Sequence, residues 1–261
     1  GAGLNIPPNG ARLCRWLGVD LDGGDPKGPH GAIDGGRAAI LESSRQFNED
    51  GSRSERPFDH VTAAGDGAGF HHMHRLDLLM CLHKRVSEFG PDSGKPCPIT
   101  VHMDSRLTEL RQTADDVTAT FSNGLVATGG VLVGADGINS ATLEAAWPSP
   151  RPKRWTEVIC FRGLIPRADV AALRKADGSP LDNNPIDSFS MDRHKTDTSA
   201  VTTYWVRGGE LLNVWIAHYE PKSTEFEQEE GDWFPVSQEE VARQVGEAFA
   251  ESPNRDDLVA L

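Results

Sequence analysis

The sequence has no long hydrophobic run, no excess of positive charge and few cysteines. Its longest apolar stretches, such as Val131–Val133 and Leu211–Ala217, are the length of strands, far short of the roughly 18–20 residues that span a bilayer. Lys and Arg number 26 against 39 Asp and Glu, for a formal net charge of −13. Binding to nucleic acid or an anionic membrane surface calls for the opposite balance, because phosphates are neutralised by basic side chains. The four cysteines, Cys14, Cys81, Cys97 and Cys160, show neither CxxC nor metal-ligand spacing; buried, reduced thiols and a cytoplasmic location are the expectation. There is no N-terminal signal pattern, no internal repeat and no low-complexity segment. The chain opens Gly1-Ala2-Gly3 without a Met, as a piece of something longer would.

What is present reads as α/β in the first half and mostly β in the second. Residues 1–17 suggest a strand entering a helix at Pro7-Pro8, with Ala11, Leu13, Trp16 and Leu17 as its apolar positions and Gly18 as its end. Residues 20–36 read as a loop, and 38–48 as a strand before the turn Asn48–Gly51. Leu79, Leu82, Val86 and Phe89 recur at steps of three and four, predicting a helix over 75–89 that buries that face. Strands are expected at 99–104, 106–113 and 116–121. An Asn123-Gly124 turn follows, then a return at 125–128 and a small buried strand over 130–134. Beyond Pro148, strands at 157–165, 186–191, 198–206 and 211–219 follow one another without helices, the pattern of an antiparallel sheet. Ser237-x-x-Glu240 is a capping box opening a last helix that buries Val241, Val245 and Phe249.

Two segments carry candidate chemistry. Val131–Ser140 is an apolar run delivered into the turn Gly134-Ala135-Asp136-Gly137 before a helix start. Glycine lets backbone approach a ligand closely, and a helix N-terminus presents free N–H groups to phosphate; the bland reading is a strand-to-helix turn with Asp136 as a cap. The second is His74-Arg75-Leu76-Asp77-Leu78. Arg75 can address an oxyanion with its planar fork, or simply pair with Asp77 on the surface. His71, His72 and His74 have no accompanying ligand cluster, so no metal is assigned.

Taken in order, these segments resemble the FAD-dependent aromatic-ring monooxygenases of the salicylate hydroxylase and para-hydroxybenzoate hydroxylase type. Gly1–Arg12 looks like the segment after that family's first βαβ unit, and His74–Leu78 like its flavin-contacting stretch. Phe121–Gly124 with Val133–Ser140 resembles its hairpin and Gly-Ala-Asp-Gly-x-x-Ser signature. Cys160–Pro166 and Tyr204–Val214 resemble its substrate-sheet strands. Leu143 stands where the family commonly has Arg, and Trp205 where proline is frequent.

The resemblance implies a partial Rossmann-like FAD-binding domain over 1–150, with about 30–60 joining the substrate sheet. It implies an antiparallel-sheet substrate domain over 151–235 and a helix over 236–261 returning toward the FAD domain. Nothing before Gly1 supplies the family's Gly-x-Gly-x-x-Gly and acidic ribose ligand, and the chain stops before the later flavin-contacting segment. The implied expectation is the middle of such an enzyme, inactive and unable to hold FAD tightly alone. In the family, NAD(P)H reduces FAD, the reduced flavin captures O₂ as a hydroperoxide, and the distal oxygen attacks an electron-rich ring. A phenolic substrate must also lose its proton to a base or relay. Ala2, Gly3, Arg75, Gly134, Asp136 and Gly137 are then the expected FAD contacts. Arg162 and Tyr204 are the catalytic candidates facing a small aromatic substrate, though packing or a surface ion pair would also explain them. Asn5 is a further candidate to line the substrate side.

Other classes remain: a non-catalytic remnant of the family, or another flavin enzyme on its scaffold, although a halogenase's Trp-rich motif is absent. An NAD-dependent dehydrogenase would need a Gly-x-Gly-x-x-Gly after a strand, and Gly65–Gly69 lacks that strand.

Overall fold

A computed structural model describes residues 2–21, 33–34, 38–57, 68–147, 149, 156–187, 190–219 and 236–261. The first strand, β1 (Gly3–Ile6), runs into helix α1 (Pro8–Trp16), with Pro7 at its N-cap and Pro8 in its first turn. Proline suits that place, because the first turn's N–H groups have no partner inside the helix. Gly18 ends the unit at φ 80, a value that glycine adopts without strain. Of the four apolar positions named above, only Ala11 is buried; Trp16 is 78% exposed, and Cys14 takes the second inward place. Next come β2 (Val19–Asp20) and β3 (Ile33–Asp34), paired in parallel, within a span expected to be loop. The expected 38–48 strand divides into β4 (Ala39–Ile40) and β5 (Ser43–Phe47). A turn at Gly51 leads to β6 (Arg53–Pro57). Strand β7 (His71–His74) then enters helix α2 (Arg75–Ser87). β7 lies between β1 and β4, antiparallel to both.

The expected helix over 75–89 is present as α2, but its inward face is turned by one residue. Leu78, Cys81 and Leu82 pack on the core formed by Ile6, Ala11, Cys14, Val19 and Met73, while Leu79 is 49% exposed. The next unit is an antiparallel meander of β8 (Leu107–Gln112), β9 (Val117–Phe121) and β10 (Val126–Gly129), followed by helix α3 (Ala141–Ala146). Two expected strands are absent here. Residues 99–104 and 130–134 form no strand, and Met103, Val131 and Val133 are 70%, 82% and 83% exposed. Alternating or continuous apolar residues only make a segment fit to pair. Without a neighbouring strand among the described residues, the ladder does not form.

The remainder builds one large sheet. Its strands are β11 (Val158–Pro166), β12 (Met191–Lys195), β13 (Ser199–Val206) and β14 (Leu211–Tyr219), with helix α4 (Arg167–Ala172) after β11. Where a strand was expected at 186–191, Pro185–Asp187 is a 3₁₀ turn and β12 begins at Met191; Pro185 lacks the N–H a ladder requires. The order is β11-β14-β13-β12-β5-β6. All pairs are antiparallel except β12 with β5, so this is a mixed sheet that takes residues 43–57 from early in the chain. Helices α5 (Gln238–Ala248) and α6 (Arg255–Ala260) follow. Ser237 caps α5 by accepting from the Glu240 amide, one half of the expected capping box, while the Glu240 carboxylate accepts from Arg243 and Gln244. Rather than turning to the first layer, Val245, Phe249 and Leu258 pack with Val170 on the sheet residues Val201, Trp205, Leu212 and Val214. Among the described residues no helix is long and apolar enough to cross a membrane.

Period-two alternation thus gives the sheet two different faces. One lies under the helices. On the other, Tyr204 and Val206 pack with Met191 and Leu41. Leu212 is fully buried on the helix side and Val133 is 83% exposed. Leu212→Ala is therefore expected to cost about 2–5 kcal/mol, and Val133→Ser less than about 0.5 kcal/mol. Urea unfolding of the 261-residue chain measures both; comparable losses would show that Val133 is buried after all.

Candidate functional site

The start of β1 lies against the second face of the large sheet. Its Gly3 N–H donates to Asn213 Oδ1 at 2.8 Å. A Cβ at Gly3 would stand 2.7 Å from Asn213 Cγ and 2.8 Å from Tyr204 Cε2, so this approach admits only glycine. Asn213 and Tyr204 are direct partners on β14 and β13, and both are buried. The His72 ring from β7 lies against the Tyr204 ring, centroids 4.2 Å apart and planes at 55°. Burial, with a smaller contribution from Arg162 in the opposite sense, pushes the Tyr204 phenol up to about 12. Across the neutral range it is a hydrogen-bond donor and not a phenolate.

Arg162 stands one row along the same face. It pairs with Trp215, which pairs with Thr202, two residues before Tyr204; residues two apart on a strand share a face. Its side chain is exposed, and its charge is the one that opposes the rise at Tyr204. At the other edge of the junction, the Arg75 N–H donates to the Ala2 carbonyl at 2.9 Å. Arg75 is exposed as the first residue of α2. The surface pair with Asp77 is not formed. Asp77 instead accepts two hydrogen bonds from Arg207, both at 2.9 Å, which ties α2 to the turn between β13 and β14.

Ala2, Gly3, Arg75, Tyr204 and Arg162 are therefore gathered at one junction. Gly134, Asp136 and Gly137 are not. They lie between the meander and α3, neither of which packs extensively on β1, β7 or α2 among the described residues. Asp136 accepts from the Ser140 hydroxyl and from the amide and hydroxyl of Thr142. These bonds hold its carboxylate down at about 2, the Ser140 hydroxyl foremost, so its acceptor capacity serves its own helix start. Gly134 is tight for a different reason, since a Cβ there would meet Thr142 at 2.7 Å. Asn5 Nδ2 lies 3.9 Å from Met191 sulfur, at the edge of the junction.

Asn213 and His72 are the residues whose part sequence reasoning missed. An Asn between Leu212 and Val214 on an apolar strand was the available signal, because a buried amide is kept only where it is hydrogen-bonded. His72 had been weighed solely as a metal ligand. It is 2% exposed, and neither ring nitrogen has a hydrogen-bond partner among the described residues. Burial, and then neighbouring His71, press it down to about 3.

No family model matches the sequence. Curated relatives do. The chain is 25% identical over 256 residues to hispidin-3-hydroxylase of Neonothopanus nambi, covering 93% of this chain and 54% of that protein. It is 25% identical over 224 residues to 3-amino-4-hydroxybenzoate 2-monooxygenase of Streptomyces cremeus, covering 86% and 48%. With salicylate hydroxylase of Pseudomonas putida it shares 26% over 156 residues, covering 57% and 32%. This chain is a homologue of the FAD-dependent aromatic-ring hydroxylases. It spans about half the length of the first two relatives. Solved structures show that this hydroxylase homologue also shares the fold. Klebsiella pneumoniae HpxO complexed with FAD and uric acid matches at TM-score 0.68 and 18% identity, over 100% of this chain and 56% of that one. A salicylate hydroxylase substrate complex matches at 0.69 and 18%, over 100% and 59%.

The buried imidazole has a consequence for acid stability. His72 titrates in the fold at about 3, below the ordinary histidine value of 6.5, so between those values the unfolded chain binds more protons. Stability then rises with pH and falls on acidification, by at most about 1.4 kcal/mol per pH unit for one group. His194, lowered to about 4 chiefly by burial, acts in the same direction. His72→Phe should narrow the gap between urea midpoints at about pH 7.5 and pH 5 while leaving the His194 share. An undiminished gap would show that His72 is not the buried neutral group described.

Proposed function

We propose that the protein carrying this sequence is an FAD-dependent monooxygenase that hydroxylates a phenolic or acidic aromatic ring with O₂. NAD(P)H is the proposed electron donor and the cytoplasm the proposed compartment. The observation that carries the reading is the junction of β1 and α2 with the outward face of the large sheet, where Ala2, Gly3 and Arg75 meet Tyr204 and Arg162. The named relatives support the reaction class.

The residues present fit a flavin nucleotide. An exposed guanidinium begins a 13-residue helix, where the helix dipole also favours an anion. The strand end beside it, at Ala2 and Gly3, is held in place by the Arg75 amide on one side and by Asn213 on the other. Ala2, Gly3 and Arg75 are assigned to hold FAD. Gly134, Asp136 and Gly137 are assigned as a separate contact made through backbone, given that the Asp136 carboxylate is engaged locally. FAD, when bound and reduced, supplies the activation of O₂.

The protein's own part is to position the ring, keep water away and manage its proton. Tyr204, protonated and buried, is a fixed donor to a substrate oxygen. As that oxygen loses its own proton, the phenol hydrogen bond and the Arg162 charge stabilise the anion, making the ring more nucleophilic. Residues 1–150 are accordingly proposed as the FAD-facing part, joined to the substrate sheet through 43–57. The proposed substrate part is 151–235, with 236–261 as its helical backing.

Arg75→Ala in the protein carrying this sequence should weaken FAD binding by about 10- to 150-fold, the loss of one hydrogen bond to a charged group at about 1.5–3 kcal/mol. Fluorescence titration reads this directly, and unchanged affinity would remove Arg75 from the flavin site. Tyr204→Phe should leave the flavin spectrum intact and raise the share of O₂ released as hydrogen peroxide without product. A variant that couples O₂ to product as fully as the parent would refute the role given to the phenol.

A further inference from the structure

Helices α1 and α2 each place one cysteine in the same core. Cys14 is 9% exposed there, and Cys81 packs on the cluster from α2. The two helices are keyed together where Arg85 Nε donates to the Leu17 carbonyl at 2.8 Å. Cys81 lies four residues before Arg85, and Cys14 three before Leu17. Each is about one helical turn before the keyed contact, and both side chains pack in the same core. The Cys14 thiol is pushed up from its ordinary value, first by burial and then by Cys81. Cys97 and Cys160 are both exposed and belong to neither helix.

We propose that Cys14 and Cys81 form a dithiol site that hydrogen peroxide closes into a disulfide joining α1 to α2. Cys81 is half-buried and Cys14 buried, so peroxide reaches Cys81 first. The Cys81 thiolate attacks one peroxide oxygen; the S–O bond forms, the O–O bond breaks, and hydroxide leaves and is protonated to water. Cys81 is now a sulfenic acid. The Cys14 sulfur attacks the Cys81 sulfur; the S–S bond forms, the S–O bond breaks, and the departing hydroxide takes the Cys14 proton. Overall two thiols lose two electrons and two protons, and one hydrogen peroxide becomes two waters. The cross-link ties the helix that follows Ala2-Gly3 to the helix that begins at Arg75. Under the monooxygenase reading, on which this source of oxidant alone rests, the peroxide is that released when O₂ is consumed without hydroxylation.

The test uses added peroxide, so its outcome does not depend on turnover. The protein is treated with hydrogen peroxide, its remaining thiols are alkylated, and it is digested without reductant for mass spectrometry. A peptide pair linked through Cys14 and Cys81, lost on reduction, is the expected result. In Cys14→Ser, a dimedone adduct should accumulate on Cys81; in Cys81→Ser, Cys14 should stay unlabelled. Alkylation of both Cys14 and Cys81 after peroxide, or linkage of either to Cys97 or Cys160 instead, would overturn the proposal. Hydroxylase variants that fail while this cross-link forms would count against the functional reading and leave the dithiol site standing.

Discussion

The architecture turns on how closely β1 approaches the large sheet. One hydrogen bond, from the Gly3 amide to Asn213 Oδ1 at 2.8 Å, satisfies a backbone donor that strand pairing does not reach, and does so from a buried side chain. The absence of a Cβ permits it, and Tyr204 fills the other side of the contact. A larger residue at Gly3 would force the strand away from the sheet. Ala2 and the start of α2 would move with it, because the Arg75 amide is bonded to the Ala2 carbonyl. The residues proposed to face cofactor and substrate are thereby set to one spacing by one contact.

The rest of the fold supports that spacing. Helices α4, α5 and α6 bury one face of the sheet around Trp205, Leu212 and Val214, which leaves the Tyr204 and Arg162 face to meet β1 and β7. The bidentate Asp77–Arg207 pair fastens the first turn of α2 to the connection between β13 and β14. Arg207 holds φ 55 there, a conformation sparsely populated by residues other than glycine. The proposed chemistry and the helix packing thus occupy opposite sides of the same strands. The balance at Tyr204 follows from this position, since the phenol is buried enough to stay protonated yet within reach of the Arg162 charge.

Local signals in the sequence were dependable where the physics is local. Pro7-Pro8, Gly18, the Asn123-Gly124 turn and the Ser237 capping box each act within a few residues, and each marks the boundary it should. Long-range pairing was less legible. Nothing near Ser43 announces a parallel partnership with Met191, because such a pair depends on a match far along the chain. Val131 and Val133 have the composition of a buried strand yet are exposed, for a strand is defined by its neighbour as much as by its own residues. At the site, Arg162 and Tyr204 could be chosen from the resemblance and do share a face. Asn213 stood out as a polar residue between Leu212 and Val214, but its role could not be read until its partner, a backbone N–H some two hundred residues away in the chain, was in place.

Hydrogen–deuterium exchange of the protein carrying this sequence, with and without FAD, tests the central claim most directly. If the flavin is held where β1 and α2 meet the sheet, FAD should slow exchange together in the segments around Gly3–Ile6, His71–Leu78 and Tyr204–Asn213. The helix-covered side around Val245 and Leu258 should stay unchanged. Protection confined to the meander and the Gly134–Gly137 turn, or none in the first three segments despite saturating FAD, would contradict the account.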